Sequence, residues 1–326
     1  MNNFYDSLPS VFSVLAPMED VTDVVFRRVV NKYGKPDVFF TEFTNCDGIC
    51  SIGQAKVIHR LKYDKDQYPI VAQIWGKTVA NYEQTARLCF QLGFDGVDIN
   101  MGCPEKNVIK IGACSALIND HQKAKEIINA VKKGVNNLIP VSVKTRIGFD
   151  TIDTDNWIGF LLNQNIQALT IHGRTVKELS NVDNHFDQIA SAVILRDKIS
   201  PATKIIANGD ILDRYQGEVI CNQIGSDGYM IGRGVFKNIL CFNTDIQNIS
   251  KELRLEIMKY HINEWVKTWT ILNNEDDGYR FAKNYSILKK YFKIYLSDFE
   301  NSAEVRAKAM ETTTPEEVLL LIDSLL

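Results

Sequence analysis

The sequence predicts an α/β protein: an eight-stranded (β/α)8 TIM barrel over residues 1–245, followed by a small all-helical domain over residues 246–326. Three observations predict it. Short β-branched runs alternate with amphipathic stretches eight times between residues 11 and 231. Several of those runs are apolar almost throughout, as in parallel strands covered on both faces. Beyond residue 245 the strand signal stops and only helical periodicity continues. A chain of 326 residues is long enough for one large barrel with an appendage. A doubly wound open sheet is the main rival, and it needs a glycine-rich dinucleotide turn after an early strand. The first strand runs instead into Ala16-Pro17-Met18-Glu19-Asp20.

In chain order the strands are expected at Val11–Met18, Asp37–Phe43, Pro69–Trp75, Gly96–Met101, Pro140–Arg146, Ala168–His172, Lys204–Asn208 and Gly228–Ile231. Helices fill the gaps. Thr22–Gly34 carries Phe26, Val29, Val30 and Tyr33 on one face, and Thr78–Gly93 repeats the pattern with Val79, Ala86, Cys89 and Phe90. Between Asp120 and Gly134, Ala124, Ile127, Ile128 and Val131 share a face; Asp120 suits the N-cap and Gly134 a left-handed stop. In the C-terminal region Lys251–Leu272 reads as a long helix, Asp276-Asp277-Gly278 as a turn and Tyr279–Leu296 as a second helix. Pro315 suits the start of the last one.

Composition narrows the function. The formal net charge is −3, so a nucleic-acid partner would have to use a local basic face. No signal peptide and no run long enough for a membrane span are visible, and seven cysteines without framework spacing suit a reducing cytoplasm. Cys46 and Cys50 lack a second ligand pair, so packing is the expected role and no metal is expected. Membrane association is not expected, and a monomer is.

In a (β/α)8 barrel, chemistry sits at the C-terminal ends of the strands. Polar residues gather there: Glu42, Gln73, Asn100 before Gly102-Cys103-Pro104, Lys144, His172 with Arg174, Asn208-Gly209-Asp210 and Gly232-Arg233-Gly234. The loops after strands seven and eight are the usual phosphate site of barrel enzymes, where glycines admit the anion and Arg233 adds a bidentate cation. Tight βα turns alone would also explain either glycine loop. Lys144 ends a buried strand, where an unpaired ammonium is costly. His172 fits a satisfied core histidine as well as a ligand contact. Cys103 stands in a turn facing the site. With an ordinary thiol pKa near ~8.5 it would stay protonated at neutral pH and serve as a general acid. Between Arg280 and Met310 seven basic residues, among them Lys283, Lys289, Lys290 and Lys293, outnumber three acidic ones, and tyrosines and Phe292 are interleaved. That pattern fits a core-packed, solvated helix as readily as a nucleic-acid surface.

Taken together, these motifs resemble the tRNA-dihydrouridine synthases. The resemblance rests on Leu15-Ala-Pro-Met-Glu-Asp-Val-Thr-Asp-Val-Val-Phe-Arg27, Asp98-Ile-Asn-Met-Gly-Cys-Pro104, Lys110-Ile-Gly-Ala, Val143-Lys-Thr-Arg-Ile-Gly148, Thr170-Ile-His-Gly-Arg-Thr175, Ile206-Ala-Asn-Gly-Asp-Ile211 and Tyr229-Met-Ile-Gly-Arg-Gly234, in family order. It implies FMN held by Ala16, Pro17, Met18, Gln73, Lys144, His172, Asn208, Gly209, Asp210, Gly232 and Arg233, with NADPH as electron donor. It further implies hydride transfer from flavin N5 to uracil C6 and a proton from Cys103 to C5. Asn100 and Arg174 would contact the uridine, and Lys283, Lys289, Lys290 and Lys293 the tRNA. Two features depart from the family: Gly112-Ala-Cys114 where Gly-Ala-Gly is usual, and Val176–Phe186 without the usual tyrosine and Ala-Asp-Trp. Alternatives from other classes are the same reaction on ribosomal RNA, a flavin-barrel reductase of a free pyrimidine resembling dihydroorotate dehydrogenase, and an RNA-binding protein on an inactive barrel.

Overall fold

Apolar runs that do not alternate with polar residues need cover on both faces, and a closed parallel sheet inside a ring of helices supplies it. The computed structural model describes residues 3–243, 249–270 and 282–326. The strands are β1 Phe12–Leu15, β2 Phe39–Phe40, β3 Ile70–Trp75, β4 Gly96–Met101, β5 Val141–Arg146, β6 Ala168–His172, β7 Lys204–Asn208 and β8 Gly228–Ile231. All neighbours pair in parallel around the ring, from β2 through β3 to β8 and on to β1. A bridge between Val14 and Val38 joins β1 to the entry of β2 and closes the barrel.

Every expected strand is present inside its window, and the shortenings have local causes. Ala16 still donates to the Ile231 carbonyl, but Pro17 has no N–H to carry the β1 ladder further. The second window holds only β2, and a separate pairing of Thr44–Asn45 with Ile74–Trp75 follows just beyond it. Helix α1, Val24–Tyr33, is capped by the Asp23 carboxylate, which accepts from the Phe26 amide at 2.9 Å. Helix α2 spans Val79–Gln91, and α3, His121–Gly134, has its Asp120 cap. Gly134 is not the left-handed stop expected of it; Asn136 and Asn137 take that conformation. Its lack of a side chain serves packing instead, since a β-carbon there would collide with the Glu83 carbonyl and with Ala86 of α2.

Beyond the barrel, α4 (Lys251–Trp269), α5 (Ser302–Glu311) and α6 (Pro315–Asp323) form the helical region, with Pro315 at a helix start as expected. The expected boundary at 245/246, the turn at 276–278 and Arg280 lie outside the described residues. Between α4 and α5 the chain departs from the single helix expected over Tyr279–Leu296. Residues 285–291 wind as 3-10 turns and Phe292–Tyr295 as one α turn. The tighter winding eclipses positions three apart, so Leu288 and Tyr291 both point inward, joined by Phe292 and Tyr295. Tyr291 stacks on Phe26 of α1 with ring centroids 5.3 Å apart. A single apolar core thus runs from α1 into α4. Among the described residues no helix is long and apolar enough to cross a membrane.

Candidate active site

A cavity of about 840 Å³ opens at the C-terminal mouth of the barrel. Its wall includes Ala16, Pro17 and Met18 after β1, Lys144 of β5, His172 at the end of β6, Asn208, Gly209 and Asp210 after β7, and Gly232 and Arg233 after β8. Ten of the eleven residues expected to hold a cofactor therefore meet around one space. Residues 180–183, in the loop that departs from the family pattern, also line it, as do Arg174, Ile211, Leu212, Met230, Gly234 and Lys237.

Electrostatics divide this wall into braces and free donors. The Lys144 ammonium donates to the Asn208 side-chain oxygen at 2.9 Å, and that amide in turn donates to the Met230 carbonyl. Burial, with Arg146 nearby, lowers the Lys144 pKa to about 8. A lysine has three N–H donors, so one neutral partner leaves capacity facing the cavity. Burial holds His172 neutral, with a pKa pushed down to about 2 and further depressed by Lys144, Arg146, Arg174 and Arg233. The Arg174 guanidinium lies 3.3 Å from His172 Nε2 and can only donate, so Nε2 accepts and the ring proton sits on Nδ1.

Arg174, expected as a substrate contact, lines the cavity while bracing its wall. It is 2% exposed, and its guanidinium donates to the Val182 carbonyl at 2.7 Å, to His172 and to the Asp210 carboxylate. It braces the loops after β6 and β7 against each other. Asp210 also accepts from Arg233 at 3.0 Å, but the Arg233 side chain is 65% exposed and keeps donors free at the cavity edge. Gly209 holds a φ of +118°, which disfavours any side chain, and Asn184 packs against it. Gly232 differs. A β-carbon there would meet nothing nearer than Ala16 Cβ at 3.6 Å, ordinary contact, so the fold itself leaves room for a side chain that the sequence omits.

The catalytic candidate belongs to the adjacent strand. Asn100 of β4 pairs in register with Lys144, and the turn to Cys103 follows. Asn100 is not free to read a base with its oxygen, because Oδ1 accepts from the Gly102 and Cys103 amides, both at 3.0 Å. Its Nδ2 donates to Gln73 Oε1 at 3.0 Å, and Gln73 Nε2 donates to Asp98 at 2.7 Å. Gln73, expected to contact the cofactor, is fully buried in this chain of amides and is not among the residues lining the cavity. Neither Cys103 nor Asn100 lines it; the half-buried thiol stands beside the cavity, close enough for its charge to act on Lys144. A hydrogen bond from the Cys114 thiol, against the effect of burial, lowers the Cys103 pKa to about 7, not the ordinary value expected.

Several positions that support the candidate site had no assigned role in the sequence. Arg146, buried, donates to the Gly102 carbonyl at 2.8 Å and to the Thr175 and Leu179 carbonyls, tying the Cys103 turn to the variable loop. Asp98 accepts from both Gln73 and Ser142, and burial raises its pKa to about 6. Its alternation with Asn100 along β4 was the available signal. Glu42, at the end of the second strand window, accepts from the Asp20 amide at 2.7 Å and fixes the loop after β1.

Among the basic residues of the helical region, Lys283 is a correction. It is 7% exposed and pairs with Asp23 at 2.7 Å, with the Trp269 ring 4.6 Å away, so its ammonium serves the junction and not RNA. Lys289 donates to the Met310 carbonyl at 2.7 Å and Lys290 to the Asp20 carbonyl, while Lys293 is exposed. The interleaved Tyr291, Phe292 and Tyr295 are core residues.

Residues 14–325 match the family model described as dihydrouridine synthase. The probable tRNA-dihydrouridine synthase 2 of Bacillus subtilis (strain 168) is 42% identical over 323 residues, 98% of this chain and 96% of that protein. The probable tRNA-dihydrouridine synthase of Staphylococcus aureus (strain Mu50 / ATCC 700699) is likewise 42% identical, over 98% of this chain and 95% of its own. Among solved structures, a 2-naphthoyl-CoA reductase complex aligns with a TM-score of 0.56 at 9% identity, covering 74% of this chain and 50% of that one. That likeness extends to the fold alone. Agreement over nearly the whole chain settles the family: the protein belongs to the dihydrouridine synthases, a family of oxidoreductases.

Proposed function

We propose that the protein reduces specific uridines of tRNA to 5,6-dihydrouridine in the cytoplasm, with FMN in the barrel-mouth cavity and NADPH as electron donor. The observation that carries this reading is the composition of one wall. Lys144 has unused donors, His172 is neutral with its proton on Nδ1, and Gly232 leaves a cradle that a β-carbon would fill. Those features fit a flat ring at the β5–β6 side and its phosphate by Arg233 and the loops after β7 and β8.

FMN, when bound, supplies the hydride for uracil C6. The Lys144 ammonium would favour negative charge on the nearby edge of the ring, as a half-buried cation does best at short range. Arg233 would take the phosphate with its free N–H donors. Cys103, held by Asn100 and Arg146, would release its proton to C5 of the base. A stacked uridine must first be drawn out of the RNA at a cost of a few kcal/mol, which calls for contacts beyond the pocket. Lys289, Lys290 and Lys293 are the basic candidates for those contacts that remain near the surface.

Mapping of dihydrouridine in tRNA from cells lacking the protein, against complemented cells, tests the reading. Positions lost with the gene and restored by the wild-type chain support it. Unchanged tRNA with a loss of dihydrouridine in ribosomal RNA would move the substrate, and no change in either would overturn the proposal.

A further inference from the structure

We propose that Asp98 is a positioning residue for Cys103: its carboxylate fixes the direction of a chain of buried amides that ends on the backbone of the Cys103 turn. The role of Cys103 as acid rests on the proposed function, whereas the held turn does not. In register, Gln73 of β3, Asp98 of β4 and Ser142 of β5 stand side by side across three strands. Side chains repeat with period two along a strand, so Asp98 and Ser142 occupy the barrel interior one layer beneath Asn100 and Lys144. Apolar side chains such as Val14, Phe40, Val71, Ala168, Ile206 and Met230 fill much of that interior, as barrel packing favours. A fully buried carboxylate is costly in such a place unless hydrogen bonds hold it. Asp98 accepts from Gln73 Nε2 at 2.7 Å and from Ser142 Oγ at 2.6 Å.

The hydrogen bonds of this chain can run in one direction only. Backbone N–H groups donate and never accept, so the Asn100 oxygen must face Gly102 and Cys103, whose amides both lie 3.0 Å away. The Asn100 NH2 group then faces Gln73 Oε1 at 3.0 Å, which turns the Gln73 NH2 group toward Asp98. A donor arriving there needs an acceptor. An ionised carboxylate has no proton to offer, so a flipped Gln73 would set oxygen against oxygen. Burial raises the Asp98 pKa to about 6, which leaves it ionised at neutral pH. Were Gln73 to flip, Asn100 would follow and set its NH2 group against the Cys103 amide, donor against donor. Asp98 excludes that state. The chain uses one N–H of each side-chain amide, and the other is left for a bound cofactor.

The test is amide hydrogen exchange at Cys103 in the full-length protein labelled with 15N-cysteine, whose seven cysteines limit the spectrum to seven signals. The signal missing from Cys103→Ala identifies Cys103, and Cys89, within α2, reports whether the fold is intact. Asp98→Leu keeps the size and removes the acceptor. Asp98→Asn keeps one acceptor oxygen, and Gln73→Met cuts the next link while the carboxylate stays. Exchange at Cys103 should rise about tenfold or more in Asp98→Leu and Gln73→Met, the scale of one lost hydrogen bond, and stay within about threefold of wild type in Asp98→Asn. Cys89 should be unmoved in all three. In dihydrouridine formation Asp98→Leu should lower kcat and leave KM for tRNA unchanged, with Asp98→Asn retaining most of the rate. Unchanged Cys103 exchange in Asp98→Leu and Gln73→Met overturns the proposal. So does an equal loss in Asp98→Asn and Asp98→Leu, which would assign the effect to charge and not to direction. Exchange is read without tRNA, so a wild type that forms no dihydrouridine removes the uridine reading and leaves the exchange result to decide the role of Asp98.

Discussion

At the scale of single residues, the site turns on which polar groups are free and which are already engaged. Cys103 must carry a proton to donate one, and its pKa of about 7 fixes the sign of the pH dependence. Where proton donation limits the rate, turnover is present below pH 7 and falls about tenfold per unit above it. A rate profile for dihydrouridine formation between pH 6 and 9 checks this, and a rate rising through that range would remove Cys103 as the acid. Cys114→Gly deletes the hydrogen bond that lowers this pKa, so the falling limb should move to higher pH. Cys103→Ala is expected to retain the cofactor and lose dihydrouridine formation by at least a hundredfold, about what loss of general acid catalysis costs; near-normal product would exclude the role. The placement of Lys144, His172 and Asn208 at the mouth was legible in the sequence because each lies at or near the C-terminal end of a strand window, and strand ends face the mouth. The partners of Arg174 and Lys283 were not legible, for the opposite reason. Asp210 and Asp23 lie 36 and 260 residues away, and only folding reveals these pairings.

At the scale of elements, the loop after β1, helix α1 and the segment 283–295 form one buried polar and aromatic junction. Asp23 accepts from Lys283, Trp269 and the Phe26 amide, and Lys283 and that amide hold its carboxyl below the usual range against the effect of burial. Lys283→Met strands that carboxylate and should cost about 3 kcal/mol or more, whereas replacing both partners with apolar residues should cost less. Denaturant melts of the two variants decide between a junction ion pair and a free RNA-binding lysine. His261 in the same junction is held neutral by burial, its pKa lowered from 6.5 to about 4. Its unfolded form therefore binds a proton first as pH falls, so this contribution is intact above pH 6.5 and is lost on acidification, on the order of 2 kcal/mol by pH 5. His261→Gln should flatten the dependence of Tm on pH between 7 and 5. The helical character of this region was legible, but the 3-10 winding of 285–291 was not, because it follows from packing Leu288 and Tyr291 against α1.

At the scale of the whole molecule, a chain of net charge −3 must bring its few surface cations to bear on RNA. Charge reversal of Lys289 and Lys293 should weaken tRNA binding across sequences and lower the salt slope by about one for each phosphate that is no longer neutralised; binding isotherms at several salt concentrations measure it. The barrel was legible at this scale because strand number, apolar runs and strand-end chemistry all agree, whereas the course of the 176–186 loop depends on Arg146 and Arg174 reaching in from elsewhere. The central claim is that the mouth cavity, with its cradle at Gly232, holds a flavin. The most direct measurement is the flavin released on denaturing purified wild-type protein and Gly232→Val, with thermal melting as the control for folding. A stoichiometric FMN in the wild type, and little or none in a variant that melts normally, is the predicted result. A wild type that neither retains nor takes up FMN, or a variant that keeps it in full, would contradict the account.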